Sequence, residues 1–83
     1  MTKQSSPSVF GIIHSITTAS PSISDKISFV SQQYAVMKLG NGKAVVLRKE
    51  DYRGVPNSLI LRDNKTKKIV AKGLKAITKE LGK

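Results

Sequence analysis

The sequence predicts a mostly β fold, a small β-barrel or curved antiparallel sheet of OB-like or SH3-like type with a short C-terminal helix. Three observations carry that expectation. Two β-rich runs, Tyr34-Ala-Val-Met-Lys-Leu and Lys43-Ala-Val-Val-Leu-Arg48, flank Gly40-Asn41-Gly42, residues that accept positive φ at low cost and so suit a tight hairpin. A second pair, Leu59-Ile60-Leu61 and Ile69-Val70-Ala71, flanks the polar residues 63–68, where Asp and Asn side chains can bond nearby backbone groups and stabilise a turn. Leu74, Ile77 and Leu81 then recur at helical spacing before Gly82, which predicts a terminal helix and its stop.

The other elements follow in chain order. Residues 1–8 are polar and Ser-rich with Lys3 as their one charge, which reads as a flexible N-terminal arm ahead of a single small basic domain over residues 9–83. Val9, Phe10, Ile12, Ile13, Ile16, Thr17 and Thr18 are mostly β-branched or aromatic and predict a first strand, with Gly11 at a bend. Val9, Ile12, Ile13 and Ile16 also fit one face of a helix, an alternative that would make the fold mixed α+β. Pro21 and its hydroxyl-bearing neighbours predict a loop over residues 18–25. Ile27, Phe29, Ala35, Met37 and Leu39 follow strand spacing, with a bend near Gln32 and Gln33. Residues 50–57, with Gly54 and Pro56, read as a connection. Phe10 and Phe29 are expected in the core, with Tyr34 and Tyr52 partly exposed beside the first hairpin. An exposed hairpin edge would let a second copy pair to form a homodimer.

Composition narrows the chemistry. Cysteine is absent, so disulfides, thiolate metal sites and a Cys nucleophile are excluded, and a reducing, cytoplasmic location is expected. No apolar run approaches the roughly 20 residues that cross a bilayer, and the terminal helix is short and weakly apolar, so no membrane partner is expected. The sequence has no glycine-rich phosphate loop, nucleophile elbow or pair of histidines at ligand spacing. His14, the one histidine, has no adjacent carboxylate. No catalytic residue, metal or cofactor is therefore expected, and the chain reads as a nonenzymatic protein.

Charge supplies the functional expectation. Twelve of the fifteen Lys and Arg residues and four of the five acids lie in residues 43–83, which carry +8 of the net +10. Arg48, Lys49 and Arg53 leave the first hairpin, whereas Arg62, Lys65, Lys67 and Lys68 surround the second. Lys72, Lys75 and Lys79 follow at i, i+3 and i+7, one stripe if the helix starts early enough. Such a surface can follow a phosphate backbone without a shaped pocket. The expected partner is nucleic acid, DNA or RNA, held mainly through phosphates because only four aromatic rings are present. Tyr34 and Tyr52 are the possible stacking residues. A small regulatory or architectural factor would fit. The alternatives are an interaction module that docks on an acidic protein surface, or lysines that serve only as a solvated face. Arg48, Arg53 and Arg62 could make bidentate contacts to guanine edges if a hairpin entered a major groove, and are equally suited to phosphate and to pairing with Asp51 and Asp63.

Residues 41–52, Asn-Gly-Lys-Ala-Val-Val-Leu-Arg-Lys-Glu-Asp-Tyr, resemble the hairpin-to-tyrosine segment of Phd/YefM-type antitoxins. In that family DNA binding belongs to an N-terminal helical region, for which the Ser/Thr-rich residues 1–33 offer no counterpart, so the resemblance carries over no site residue. Val9-Phe-Gly-Ile-Ile followed by the glycine hairpin is also similar in layout to RNA-binding barrels, a likeness of architecture alone.

Overall fold

Val9, Ile12 and Ile16 fall on one face of a helix, and burying that face decides the conformation of the first element. The computed structural model describes residues 8–82 and forms an α-helix, α1, over Val9–Ala19, with those three side chains buried. The expected first strand is thus corrected to a helix. The β preference of Val and Ile is a context-dependent bias of about 1 kcal/mol, smaller than the gain from burying three such side chains at about 1.5–3 kcal/mol each. The hydroxyls of Ser15 and Thr17 donate to the Gly11 and Ile13 carbonyls at 3.3 and 3.0 Å, which satisfies them within the helix. Pro21 opens a short 3-10 helix, Pro21–Lys26, where its missing N–H is no loss. Residues 18–25, expected as a loop, are therefore partly helical, with Ile23 buried beneath them. The predicted flexible arm lies outside the described residues apart from Ser8.

Five strands follow: β1 (Ile27–Val30), β2 (Tyr34–Lys38), β3 (Ala44–Arg48), β4 (Ile60–Asp63) and β5 (Ile69–Lys72). They form one antiparallel sheet in the order β1-β2-β3-β4-β5. Both predicted hairpins and the bend between β1 and β2 are present. In that bend the Ser31 hydroxyl accepts the Gln33 and Tyr34 amides at 3.1 and 3.2 Å. Gly42 carries φ +85° in the β2–β3 turn, the conformation for which the glycine hairpin was selected. The sheet is open rather than closed into a barrel. With two helices to cover its apolar face, it need not curl onto itself to make a core. The first hairpin is central, flanked by β1 and β4, so the open edges belong to β1 and β5 and not to that hairpin.

One face of the sheet carries Ala35, Met37, Val45, Leu47, Leu61 and Ala71, all buried. The register aligns Met37 with Val45, Ala35 with Leu47, and Leu61 with both Leu47 and Ala71. The C-terminal helix, α2 (Leu74–Leu81), adds Ile77 and Leu81 to the same cluster as Val9, Ile12, Ile16 and Ile23. Helices thus lie on one side of the sheet. Gly73, at φ +87°, turns the chain from β5 into α2, and its amide donates to the Leu59 carbonyl at 2.6 Å. Gly82 stands just past α2 with right-handed dihedrals, φ −79° and ψ −7°, so the helix ends without the left-handed cap its glycine suggested.

Candidate nucleic-acid interface

Alternation along the strands sends every second side chain to the face opposite the helices. Tyr34, Val36 and Lys38 of β2 stand there, opposite Arg48, Val46 and Ala44 of β3. Arg62 of β4 aligns with Val46, and Ile60 aligns with Lys72 of β5. On β1, Phe29 aligns with Val36 and is a diagonal neighbour of Tyr34. Among the described residues no helix or strand covers this face. Val36, Val46 and Ile60 are half-buried, whereas Lys38, Lys72 and Ile69 are exposed.

Phe29 and Tyr34 are 51% and 40% exposed, with ring centroids 5.5 Å apart and planes tilted by 49°. This corrects the expectation that Phe10 and Phe29 fill the core. Phe10, at 52% exposure, falls off the buried stripe of α1, and its place is taken by aliphatic side chains. The irregularity between Ile27 and Phe29 shifts the β1 register, so simple alternation does not fix the outward setting of the Phe29 ring. Sequence reasoning missed Phe29 as an exposed ring. Tyr34 is exposed as predicted. Tyr52 is half-buried against the core and also lines a shallow cleft of about 460 Å³ with Gln33, Tyr34, Arg48, Lys49 and Glu50.

Beyond β3 the chain makes a short 3-10 turn, Lys49–Asp51, that brings Asp51 back to the two strand arginines. Arg62 Nε donates to Asp51 Oδ2 at 3.1 Å and Arg62 Nη2 to Oδ1 at 3.2 Å. Arg48 Nε donates to the same Oδ2 at 3.4 Å, and Arg48 Nη1 lies 3.2 Å from Glu50 Oε2. Asp51 is buried. Its hydrogen bonds and negative charge raise the Arg62 pKa above the usual guanidinium value, which fixes Arg62 as a permanent cation. Of the roles open to Arg48 and Arg62, that of pairing with an acid is filled, and the acid is Asp51 rather than Asp63.

Asp63 organises the second turn instead. Its Oδ1 accepts the Lys65 and Thr66 amides at 2.8 and 3.0 Å, and Lys43 Nζ lies 3.5 Å from Oδ2. Hydrogen bonds from Thr66 and then Lys65, with the nearby charge of Lys43, hold the Asp63 carboxyl below its ordinary pKa despite some desolvation. The Asn64 amide donates to the Ala44 carbonyl at 3.1 Å, so the two hairpin turns lie side by side. Lys65, Lys67 and Lys68 are exposed on this turn, and Lys67 has a left-handed backbone at φ +64°.

The structure therefore divides the predicted basic surface. Arg48, Arg62 and Lys72 belong to the open face, and Lys65, Lys67 and Lys68 to the turn beside it. Lys75 and Lys79 are exposed on α2 in the opposite layer. Lys72 lies in β5 and α2 begins at Leu74, so the three-lysine helical stripe is corrected to a two-residue one. Lys49 is half-buried and Arg53 exposed beyond the β3 end of the sheet. His14 is exposed on α1.

Among the described residues there is no cluster of three or more His, Cys, Asp or Glu able to hold a metal ion, and no helix is long and apolar enough to cross a membrane. Compared with known proteins, the chain matches no family model, no curated protein and no solved structure.

Proposed function

We propose that the protein is a nonenzymatic nucleic-acid-binding factor of the reducing cytosol, held to its partner mainly through phosphates, in a regulatory or architectural role. One observation carries this reading. The side-by-side hairpin turns gather exposed Lys38, Lys43, Lys65, Lys67 and Lys68 at one end of a sheet face that, among the described residues, no helix or strand covers. Lysines on turns meet phosphate as point charges and need no shaped pocket. A net charge of +10 on 83 residues strengthens their attraction to any polyanion.

The test is a salt titration with labelled duplex DNA, single-stranded DNA and RNA. If these five lysines contact phosphate, the log-log slope of affinity on salt is about −4.5 for duplex and about −3.5 for a single strand. Changing Lys67 and Lys68 to Glu weakens binding while circular dichroism keeps the wild-type signature. Failure to bind all three nucleic acids at low salt, or a slope near zero, rejects the reading and turns attention to an acidic protein surface as the partner.

A further inference from the structure

We infer that the open sheet face takes single-stranded nucleic acid, with bases stacked on Phe29 and Tyr34 at one end and the backbone led along β2 toward the lysines at the other. The inference rests on the nucleic-acid reading above and adds the strandedness of the ligand and the residues that select it. Phe29 and Tyr34 are neighbours on adjacent strands, each near half exposed, with no described element covering them. Their tilt of 49° keeps the rings from covering each other as a parallel stack would. Each can therefore offer ring surface to a base. Bases in a duplex already stack on one another, whereas those of a single strand are available to aromatic side chains.

Shape favours the same ligand. Five strands at about 4.8 Å spacing make a face about 19 Å across, wider than the roughly 12 Å major groove that admits a helix or a two-stranded ribbon. The sheet face cannot enter a duplex, but an unpaired strand can lie across it. Along β2 the face runs from Tyr34 over half-buried Val36 to exposed Lys38, an aromatic ring, an apolar floor and a cation in succession. A second copy of the chain is a poorer occupant, because two faces of a +10 molecule repel.

The experiment compares wild type, Phe29→Ala and Tyr34→Ala by fluorescence anisotropy at one low salt concentration. The probes are oligothymidylate, oligouridylate, an abasic strand of equal length, a duplex of equal phosphate count and vesicles of anionic lipid. The expected result is tighter binding to the two base-bearing strands than to the duplex or the abasic strand. Each alanine variant then loses about 5- to 150-fold in affinity for the base-bearing strands and keeps its affinity for the abasic strand. Tyr34→Phe retains wild-type binding, and unchanged melting curves show that the exposed rings were not removed at the expense of the fold. The inference is overturned if the duplex or the abasic strand binds as tightly as the base-bearing strands, or if both alanine variants bind like wild type; in either case phosphate binding itself still stands. Binding to none of the nucleic acids, with or without binding to the vesicles, overturns the underlying reading as well.

Discussion

Arg62 and Asp51 meet through two parallel contacts, Nε to Oδ2 at 3.1 Å and Nη2 to Oδ1 at 3.2 Å, with Arg48 sharing the same Oδ2 at 3.4 Å. One buried carboxylate thus holds two guanidiniums at the open face of the sheet. Neutralising it by Asp51→Asn preserves shape and removes the counter-charge. Thermal stability should fall, since the charge-assisted hydrogen bonds of the carboxylate to Arg62 and Arg48 are replaced by weaker ones to a neutral amide, while affinity for a polyanion rises. Each guanidinium released to phosphate steepens the salt slope by about 0.9 on duplex or about 0.7 on a single strand. Melting curves and a salt titration of the same variant check both signs. An unchanged slope would mean that neither arginine faces the ligand.

Lys67 combines a left-handed backbone, φ +64°, with an exposed charge. A side chain in that conformation costs about 1–2 kcal/mol that glycine avoids. Lys67→Gly should therefore stabilise the fold by up to about 1 kcal/mol, after allowance for the greater entropy glycine gives the unfolded chain. The same change should weaken nucleic-acid binding and reduce the duplex salt slope by about 0.9. Urea denaturation and salt titration measure the opposed effects, and a variant that gains stability without losing affinity would remove Lys67 from the interface.

The parts of the fold legible in the sequence are those specified by local chemistry. Gly40-Asn41-Gly42 and Asp63-Asn64 carry their turns within a few residues, and Leu74, Ile77 and Leu81 mark α2 by spacing alone. α1 was not legible in that way, because Val9, Ile12 and Ile16 suit a strand by residue type and a helix by period. Only the presence of a sheet face to bury them separates the two. Phe29 was hidden for a related reason. Its outward setting depends on the β1 register shift and on which sheet face the helices choose. The basic residues were visible as a set, but their division between two layers and the choice of Asp51 for both arginines are tertiary facts.

Gly73 tests the junction between the two C-terminal elements. It is buried, its φ is +87°, and a Cβ there would meet Asn57 at 3.7 Å, an ordinary contact. Space is thus available and the backbone alone resists substitution. At ψ 152° Gly73 lies in an extended positive-φ region that is essentially glycine-only, so Gly73→Ala should destabilise the protein by about 1–3 kcal/mol, read as a lower urea midpoint with an unchanged denaturant slope. A loss near zero would show that the turn relaxes to a right-handed path without disturbing the Gly73 amide bond to Leu59.

Asp63 gives the fold a defined response to acid. Its carboxyl is held low chiefly by the Thr66 and Lys65 amides, with Lys43 adding a smaller charge contribution. A depressed folded pKa means that the unfolded chain binds the proton more readily. The stabilisation is therefore fully present above the ordinary Asp value of about 3.9 and is lost as pH falls through the lower folded value. Asp63→Asn keeps an acceptor oxygen for the two amides but removes the charge. Wild type should exceed this variant in urea midpoint by a constant margin near neutral pH, and the margin should shrink as pH falls from about 5 to about 2. Because Lys43 is mostly exposed, its part of the effect is screened by salt, whereas amide bonds to a carboxylate are not. A margin that survives high salt at neutral pH therefore assigns the acid response to the turn amides, and one that vanishes assigns it to the Lys43 pair.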